Sequence, residues 1–412
     1  MQEKCCTVGS ETGQLKKVLL HRPGGEIARL TPENRSNLLF DDILWPENAQ
    51  AEHDAFAALL KQNGAEVVYF ADCLAHILQN KDVRSSLLDE AIALEPLDAA
   101  LASALKASLM EIEALDLAEV LTAGMTKGEF HAQQGMVKSL VFSSLCDQQF
   151  LIHPLPNLYF QRDPYFFVNS CALLSVMNFT IRQREPLYGR YIFKHHPCFD
   201  GVNLCYGTDV RDVPPYTVEG GDVLVLSADC IAIGISERTS AAAVQIIGER
   251  LAKKAGIKTI LAVKIPKERF CMHLDTVLTM VDRDAFAIYS PVCEKMQVWE
   301  LNYGEDGALC SLVESRDLKT ALKKNLHLDH IRFIETGGSD PVLAAREQWH
   351  DGANTLAVAP GVVVTYNCNT HSNHVLSDNG IRVLEIIGAD LGRGRGGPRC
   401  MSMPLLREAV AL

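Results

Sequence analysis

The chain has 412 residues, 48% hydrophobic and 22% charged, with a formal net charge of −12. That balance is ordinary for a globular protein and argues against nucleic acid or an anionic membrane as the main partner. The 13 cysteines lie scattered without C-x-x-C spacing, no apolar run is long enough to span a membrane, and the N-terminus lacks a signal-like stretch, so a cytoplasmic protein without a disulfide framework is expected.

Residues 15–22 form an apolar run closed by Pro23-Gly24-Gly25 and read as a buried strand. Residues 48–62 read as a helix, with Ala51, Ala55, Phe56, Leu59 and Leu60 along one face. Val67, Val68 and Phe70 suggest a second strand. From about residue 75 to 135, Ala, Leu and Glu dominate and β-branched residues are few. That composition predicts an all-helical insertion between 1–74 and 136–412, which make up the main body. Beyond Gln149, short apolar strands alternate with turn residues. One unit recurs at 222–235, 276–288 and 355–366, with a helix after the first copy and a helix and a further strand after the third. A repeated strand–strand–helix–strand module implies a radial or propeller-like α/β body, with a two-sheet α/β fold as the alternative.

Several polar clusters carry possible chemistry. His273-Leu274-Asp275 precedes a predicted strand, and alternation along an extended segment would set His273 and Asp275 on one side, as acid–base work requires. Isolated His-x-Asp triplets are also commonly incidental. His371-x-x-His374 and His327-x-x-His330 have helix-face spacing but no third ligand, so no metal is expected. In the segment from Asn157 through Phe160 to Asp163-Pro164, the proline biases Asp163 toward an extended or turn conformation. That aspartate either caps a turn or faces a cationic ligand. Glu219-Gly220-Gly221-Asp222 carries the same alternatives, its glycines serving a turn or bulge. Cys400 follows a run rich in Gly and Arg (residues 392–397), and nearby arginines favour the nucleophilic thiolate. The plain alternative is a basic, flexible tail. Loop carboxylates suit a guanidinium, while Arg182, Arg238 and Arg395 suit a carboxylate. A small molecule with both ends, such as arginine, satisfies both sets.

Together with Leu38-Leu39-Phe40-Asp41-Asp42-Ile43-Leu44-Trp45 and the terminal Gly396-Gly397-Pro398-Arg399-Cys400-Met401-Ser402-Met403-Pro404, these motifs resemble the arginine deiminase family, in order along nearly the whole chain. The resemblance implies a five-bladed α/β propeller of strand–strand–helix–strand modules with pseudo-five-fold symmetry, plus an all-helical insertion. It implies hydrolysis of L-arginine to L-citrulline and ammonia through an amidino-cysteine, with no metal and no cofactor. Cys400 matches the nucleophile, His273 the general acid and base, and Asp163 and Asp275 the carboxylates that grip the guanidinium. Glu219 matches the residue that supports His273. Arg182 and Arg238 match the partners of the substrate carboxylate, and Asn157, Phe160 and Arg395 further substrate contacts. A homo-oligomer, dimer or higher, is expected. Cys368 stands where an arginine is expected, and His371 and His374 are unusual there. The rivals are an amidinotransferase or a dimethylarginine hydrolase, a non-catalytic arginine-binding protein, and a cysteine peptidase. In a peptidase the two guanidinium-gripping carboxylates have no role.

Overall fold

Tyr165–Val168 and Cys171–Leu174 pair as an antiparallel hairpin, the helix Arg184–His195 follows, and Asn203–Tyr206 returns parallel to the second strand. This connectivity recurs through the computed structural model, which describes residues 6–208 and 214–410. Val223–Val225 and Cys230–Ile235 form the next hairpin, with the helix Ala241–Ala255 leading to the parallel strand Thr259–Lys264. Leu278–Asp282 and Ala285–Ile288 follow, joined by parallel pairing to Arg332–Glu335. Leu356–Ala359 and Val362–Tyr366 pair next, and the helix Thr370–Asp378 leads to Arg382–Ile386. A two-stranded sheet pairs Met125–Thr126 with Phe150–Ile152, and a further sheet joins the two ends of the chain. Met403–Arg407 pairs antiparallel with Leu15–Leu20, and the helix Pro46–Gln62 then leads to the parallel strand Glu66–Tyr69. The architecture is thus mixed α/β with several small sheets.

The central strands are buried on both faces, as in Cys171–Leu174 and Ala285–Ile288. Their sequences are therefore continuous apolar runs rather than alternating ones. The hairpin Gln297–Tyr303 and Leu309–Ser315 departs from the repeat. It is spliced in after the short helix Ser290–Cys293 and extends the neighbouring sheet through Thr259–Lys264.

Helices Phe70–Leu78, Lys81–Ala93, Ala99–Met110, Ala114–Ala123 and Lys127–Gln134 fill the region after the second strand. Asn80 and Asp98 cap two of them, and Thr126 with Glu129 forms a capping box on the last. Their apolar faces join the main body: Leu87, Leu105 and Leu121 share one buried cluster with Phe166, Tyr188 and Ile192. Two local expectations are corrected. Phe70 opens a helix instead of ending a strand, because its ring turns inward to stack on Tyr165. Residues 274–276 form a 3₁₀ turn, so the strand begins only at Leu278. Among the described residues, no helix is long and apolar enough to cross a membrane.

What matters for function is the segment in front of each hairpin. Asp163 precedes Tyr165–Val168, Glu219 precedes Val223–Val225, and His273 and Asp275 precede Leu278–Asp282. Asn354 precedes Leu356–Ala359, and Cys400 precedes Met403–Arg407.

Candidate active site

Eight of the ten predicted residues line one cavity: Asn157, Phe160, Asp163, Arg182, Arg238, His273, Arg395 and Cys400. Glu219 and Asp275 stand immediately behind its wall, bonded to His273 and Arg399 respectively. The cavity encloses about 20 Å³, room for about one water molecule.

His273 reaches the cavity because residues 274–276 turn tightly after it, not because of strand alternation. The Leu274 N–H donates to Asp222 Oδ1 at 2.9 Å, and Ser236 and Thr239 donate to the other carboxylate oxygen. Asp222 thereby fixes the backbone that carries the imidazole. His273 Nε2 lies 2.9 Å from Glu219 Oε2, and Nδ1 lies 3.7 Å from Asp163 Oδ1. Burial opposes a charge on this ring, but Asp163, the Glu219 hydrogen bond and the Asp222 charge outweigh it and raise the pKa to about 9. Burial likewise pushes Glu219 up, yet Arg238 and His273 hold it down at about 2.

Both carboxylates proposed to grip a guanidinium already hold one. Arg182 Nη1 donates to Asp163 Oδ2 at 2.8 Å, while its other nitrogens bind Glu185. Arg399 Nη1 donates to Asp275 Oδ2 at 2.7 Å, and the same guanidinium pairs with Glu11. The site thus binds guanidinium groups with charge-assisted, partly bidentate geometry. Asp163, Glu219 and His273 gather possible ligand atoms within 4.8 Å of one another. The charges of Asp163 and Glu219 are met by Arg182 and Arg238. The pairs His327/His330 and His371/His374 belong to no cluster of three possible ligands among the described residues.

Cys400 Sγ lies 3.6 Å from Asp275 Oδ2 and 3.1 Å from Asn354 Nδ2. Burial pushes the thiol well above its ordinary pKa, and Asp275, Asp163 and Asp351 push the same way, outweighing Arg399. Arg399 thus favours the thiolate, as expected of a neighbouring arginine, but burial and the carboxylates outweigh it. Arg393 pairs with Asp42 at the surface, Arg395 stacks on Trp349 with its carbon 3.7 Å from the ring centroid, and Arg399 is engaged by two carboxylates. Nor is the Gly/Arg run a loose tail, since Gly394, Gly396 and Gly397 are buried. A Cβ on Gly396 would collide with Phe160, and one on Gly397 would lie 2.6 Å from the Asn354 carbonyl oxygen.

The opposite wall is the loop before Trp45. Asn157 Nδ2 donates to the Leu38 carbonyl at 2.7 Å, and Arg269 bonds both the Leu39 carbonyl and Asp41. Arg238 packs over Phe179 and beside Met272. Sequence reasoning assigned no role to Arg399, Glu11, Arg269, Asn354 or Asp351. For Asn354 a usable signal existed: it stands in front of the third recognised repeat, as His273 and Asp275 stand in front of the second.

The fold places the chain in a structural class that it shares with two solved enzymes. An amidinotransferase of the saxitoxin pathway from Microseira wollei superposes with a TM-score of 0.57 at 12% identity, covering 98% of both chains. The N-terminal domain of a cyanobacterial arginine dihydrolase superposes at 0.53 with 10% identity, covering 95% of this chain and 97% of that one. At such identities the likeness concerns the fold alone. Within that class, the family model described as arginine deiminase matches residues 36–407. Arginine deiminases of Streptococcus uberis (44% identity over 407 residues) and Streptococcus pneumoniae (43% over 409) each align over 98% of both chains. The chain belongs to the arginine deiminase family.

Proposed function

We propose that the protein hydrolyses L-arginine to L-citrulline and ammonia, with Cys400 as nucleophile and His273 as general acid and base. The observation that carries this reading is the gathering of a buried thiol, a charged imidazole and two guanidinium-binding carboxylates around one cavity in a member of this family. The cavity is far smaller than arginine, so binding requires side chains to give way. The incoming guanidinium replaces Arg182 at Asp163 and the thiol at Asp275. Arg182, once released, joins Arg238 in meeting the substrate carboxylate, with Asn157, Phe160 and Arg395 enclosing the rest.

The cation beside Cys400 favours loss of the thiol proton to solvent. Positioned sulfur then adds to the guanidinium carbon, which converts an encounter into an oriented attack. His273 gives its proton to the leaving nitrogen, the C–N bond breaks and ammonia departs, leaving an amidino-cysteine. His273 next takes a proton from water as the oxygen adds to the same carbon. The C–S bond breaks as the hydroxyl proton passes to solvent, citrulline leaves and the thiolate is restored. Glu219 holds the imidazole in the charged form needed for the first proton transfer.

The same reading places five of the sheets around a pseudo-five-fold axis as a five-bladed α/β propeller, since the segments in front of their opening antiparallel pairs meet at or beside one cavity. Residues 75–135 are then a helical insertion into a body made of 1–74 and 136–412. Leu312 and Val313, exposed on the edge strand Leu309–Ser315, support self-association into a homo-oligomer. Free thiols such as Cys73, Cys146, Cys293 and Cys310 support a reducing, cytoplasmic setting.

The test is a product assay on free arginine, agmatine and methylated arginines, with mass spectrometry of the Cys400 peptide during turnover. Citrulline, ammonia and a trapped amidino adduct are expected from arginine. Cys400→Ala should abolish citrulline formation while the protein stays folded, and Asp163→Asn should lower kcat/KM at least ~100-fold through lost positioning. Normal turnover by Cys400→Ala overturns the reading.

A further inference from the structure

Four of the five segments that precede the hairpins carry a residue already placed in the reaction. The fifth, in front of Leu356–Ala359, carries Asn354, which is 1% exposed. Its side chain touches the reacting atom. Asn354 Nδ2 lies 3.1 Å from Cys400 Sγ and 3.1 Å from the Asp275 carbonyl oxygen. Its Oδ1 accepts the Cys400 backbone N–H at 3.1 Å. These contacts fix which way the amide points. Turning it over would set its oxygen against the Asp275 carbonyl oxygen and a nitrogen against the Cys400 N–H, losing bonds on both sides.

Around the sulfur the balance of charge is unfavourable to an anion. Asp275, Asp163 and Asp351 surround it, and Arg399, the nearby cation, is engaged by Glu11 and Asp275. Both carboxylate oxygens of Asp351 lack a hydrogen-bond partner, so that charge is little relieved locally. Among the described residues, Asn354 is the one hydrogen-bond donor to Sγ.

We infer that Asn354 is a further catalytic residue, whose amide N–H holds the Cys400 thiolate at the moment of attack and again when sulfur is expelled. The inference rests on the hydrolytic reading above and adds a role to it. When a substrate guanidinium takes Asp275, the sulfur loses its acceptor, while the Asn354 N–H remains directed at its lone pairs. A donor to a charged acceptor is worth more than one between neutral groups, so it favours the anionic form over the thiol. Asn354 also binds the Cys400 N–H, so a positioning role must be separated from the electronic one.

Two variants separate them. Asn354→Asp keeps the size and an oxygen for the Cys400 N–H but removes the donor and adds a like charge. Asn354→Ala removes both contacts. Each is checked for folding by circular dichroism and thermal melting. The readouts are the pH profile of kcat/KM for arginine and the pH dependence of Cys400 alkylation by iodoacetamide, followed on the Cys400 peptide. In both variants kcat/KM at neutral pH should fall roughly ten- to hundred-fold. The acid limb and the alkylation midpoint should move up by about one pH unit or more, with activity partly recovered at higher pH. A folded Asn354→Asp with the wild-type profile overturns the inference. So does a loss of activity in Asn354→Ala that no pH restores while alkylation stays as in wild type, for that is the signature of positioning alone. Wild-type turnover of arginine stands or falls separately, so failure here is distinguishable from failure of the hydrolytic reading.

Discussion

Burial alone would strip the proton from His273, yet Asp163, Glu219 and Asp222 raise its pKa to about 9. Its charged form therefore contributes stability that is complete below the ordinary histidine value near 6.5 and is lost as pH rises through about 9. The same titration removes the general acid. Glu219→Gln keeps the shape of the partner but removes its charge, so the alkaline limb of kcat should move down by about one pH unit or more. An alkaline limb that stays in place would show that Glu219 does not set the state of His273. Individual residues differed in how legible they were. Cys400, His273, Asp163 and Glu219 each sit in a short motif whose members are sequence neighbours. Asn354 and Arg399 act through partners 46 and 388 residues away, and only the position of Asn354 in front of a repeat marks it. The charge of Arg399, next to the thiol in sequence, is consumed by two carboxylates far from it and from each other along the chain. Folding, not spacing, decides such cases.

Elements place these residues through close approach. Gly220-Gly221-Asp222 forms a 3₁₀ turn wedged between Arg162 and His273. A Cβ on Gly220 would collide with the Arg162 carbonyl oxygen, while one on Gly221 would lie 2.6 Å from His273 Nδ1 and 3.1 Å from Asp163 Oδ1. The two substitutions should therefore fail differently. Gly221→Ala displaces a ring and should lower kcat by about tenfold or more with a modest change in melting temperature, since small misplacements are costly in catalysis. Gly220→Ala meets backbone and should cost about 1–3 kcal/mol of stability, as overpacking commonly does. Equal losses of stability with unchanged kcat in Gly221→Ala would count against this geometry. Three hairpins were legible as paired apolar runs around polar turns. The sheet joining Leu15–Leu20 to Met403–Arg407 was not, because its strands lie at opposite ends of the chain. The hairpin Gln297–Tyr303 and Leu309–Ser315 hid the second recognised repeat by separating its opening strands from Arg332–Glu335. His273-Leu274-Asp275 was read as extended because an apolar residue between two polar ones mimics alternation, whereas the backbone turns there.

On the scale of the whole molecule, the dipeptide Arg399-Cys400 joins segments from five of the sheets. The Arg399 guanidinium binds Glu11, Asp275 and the Val223 carbonyl, and its own carbonyl accepts from Arg162. The Cys400 carbonyl accepts from the Arg162 N–H, and its sulfur meets Asn354. Stability and site geometry therefore share one buried charge network, and acid should act on both. Burial pushes Glu11 up, but Arg399 and Arg162 outweigh it and hold the carboxyl at about 2. Its contribution is present above the unfolded value of about 4.5 and is lost as pH falls from there toward 2. Asp222 and Asp351 act in the opposite sense, since burial raises both to about 6. Their ionisation costs stability as pH rises through the range from about 4 to 6. The denaturant midpoint should accordingly rise as pH is lowered from 7 to about 5, then fall below about 4.5. Glu11→Gln should lower stability at pH 7 by about 3 kcal/mol, because it leaves Arg399 buried with half its countercharge. That deficit should narrow as the pH drops below 4.5, where wild-type Glu11 begins to lose its own advantage. Asp351→Asn should flatten the rise between pH 7 and 5 without altering the fall below it. A constant deficit for Glu11→Gln across the acid range would mean that the glutamate acts by shape and not by charge, and that Arg399 is held by Asp275 alone.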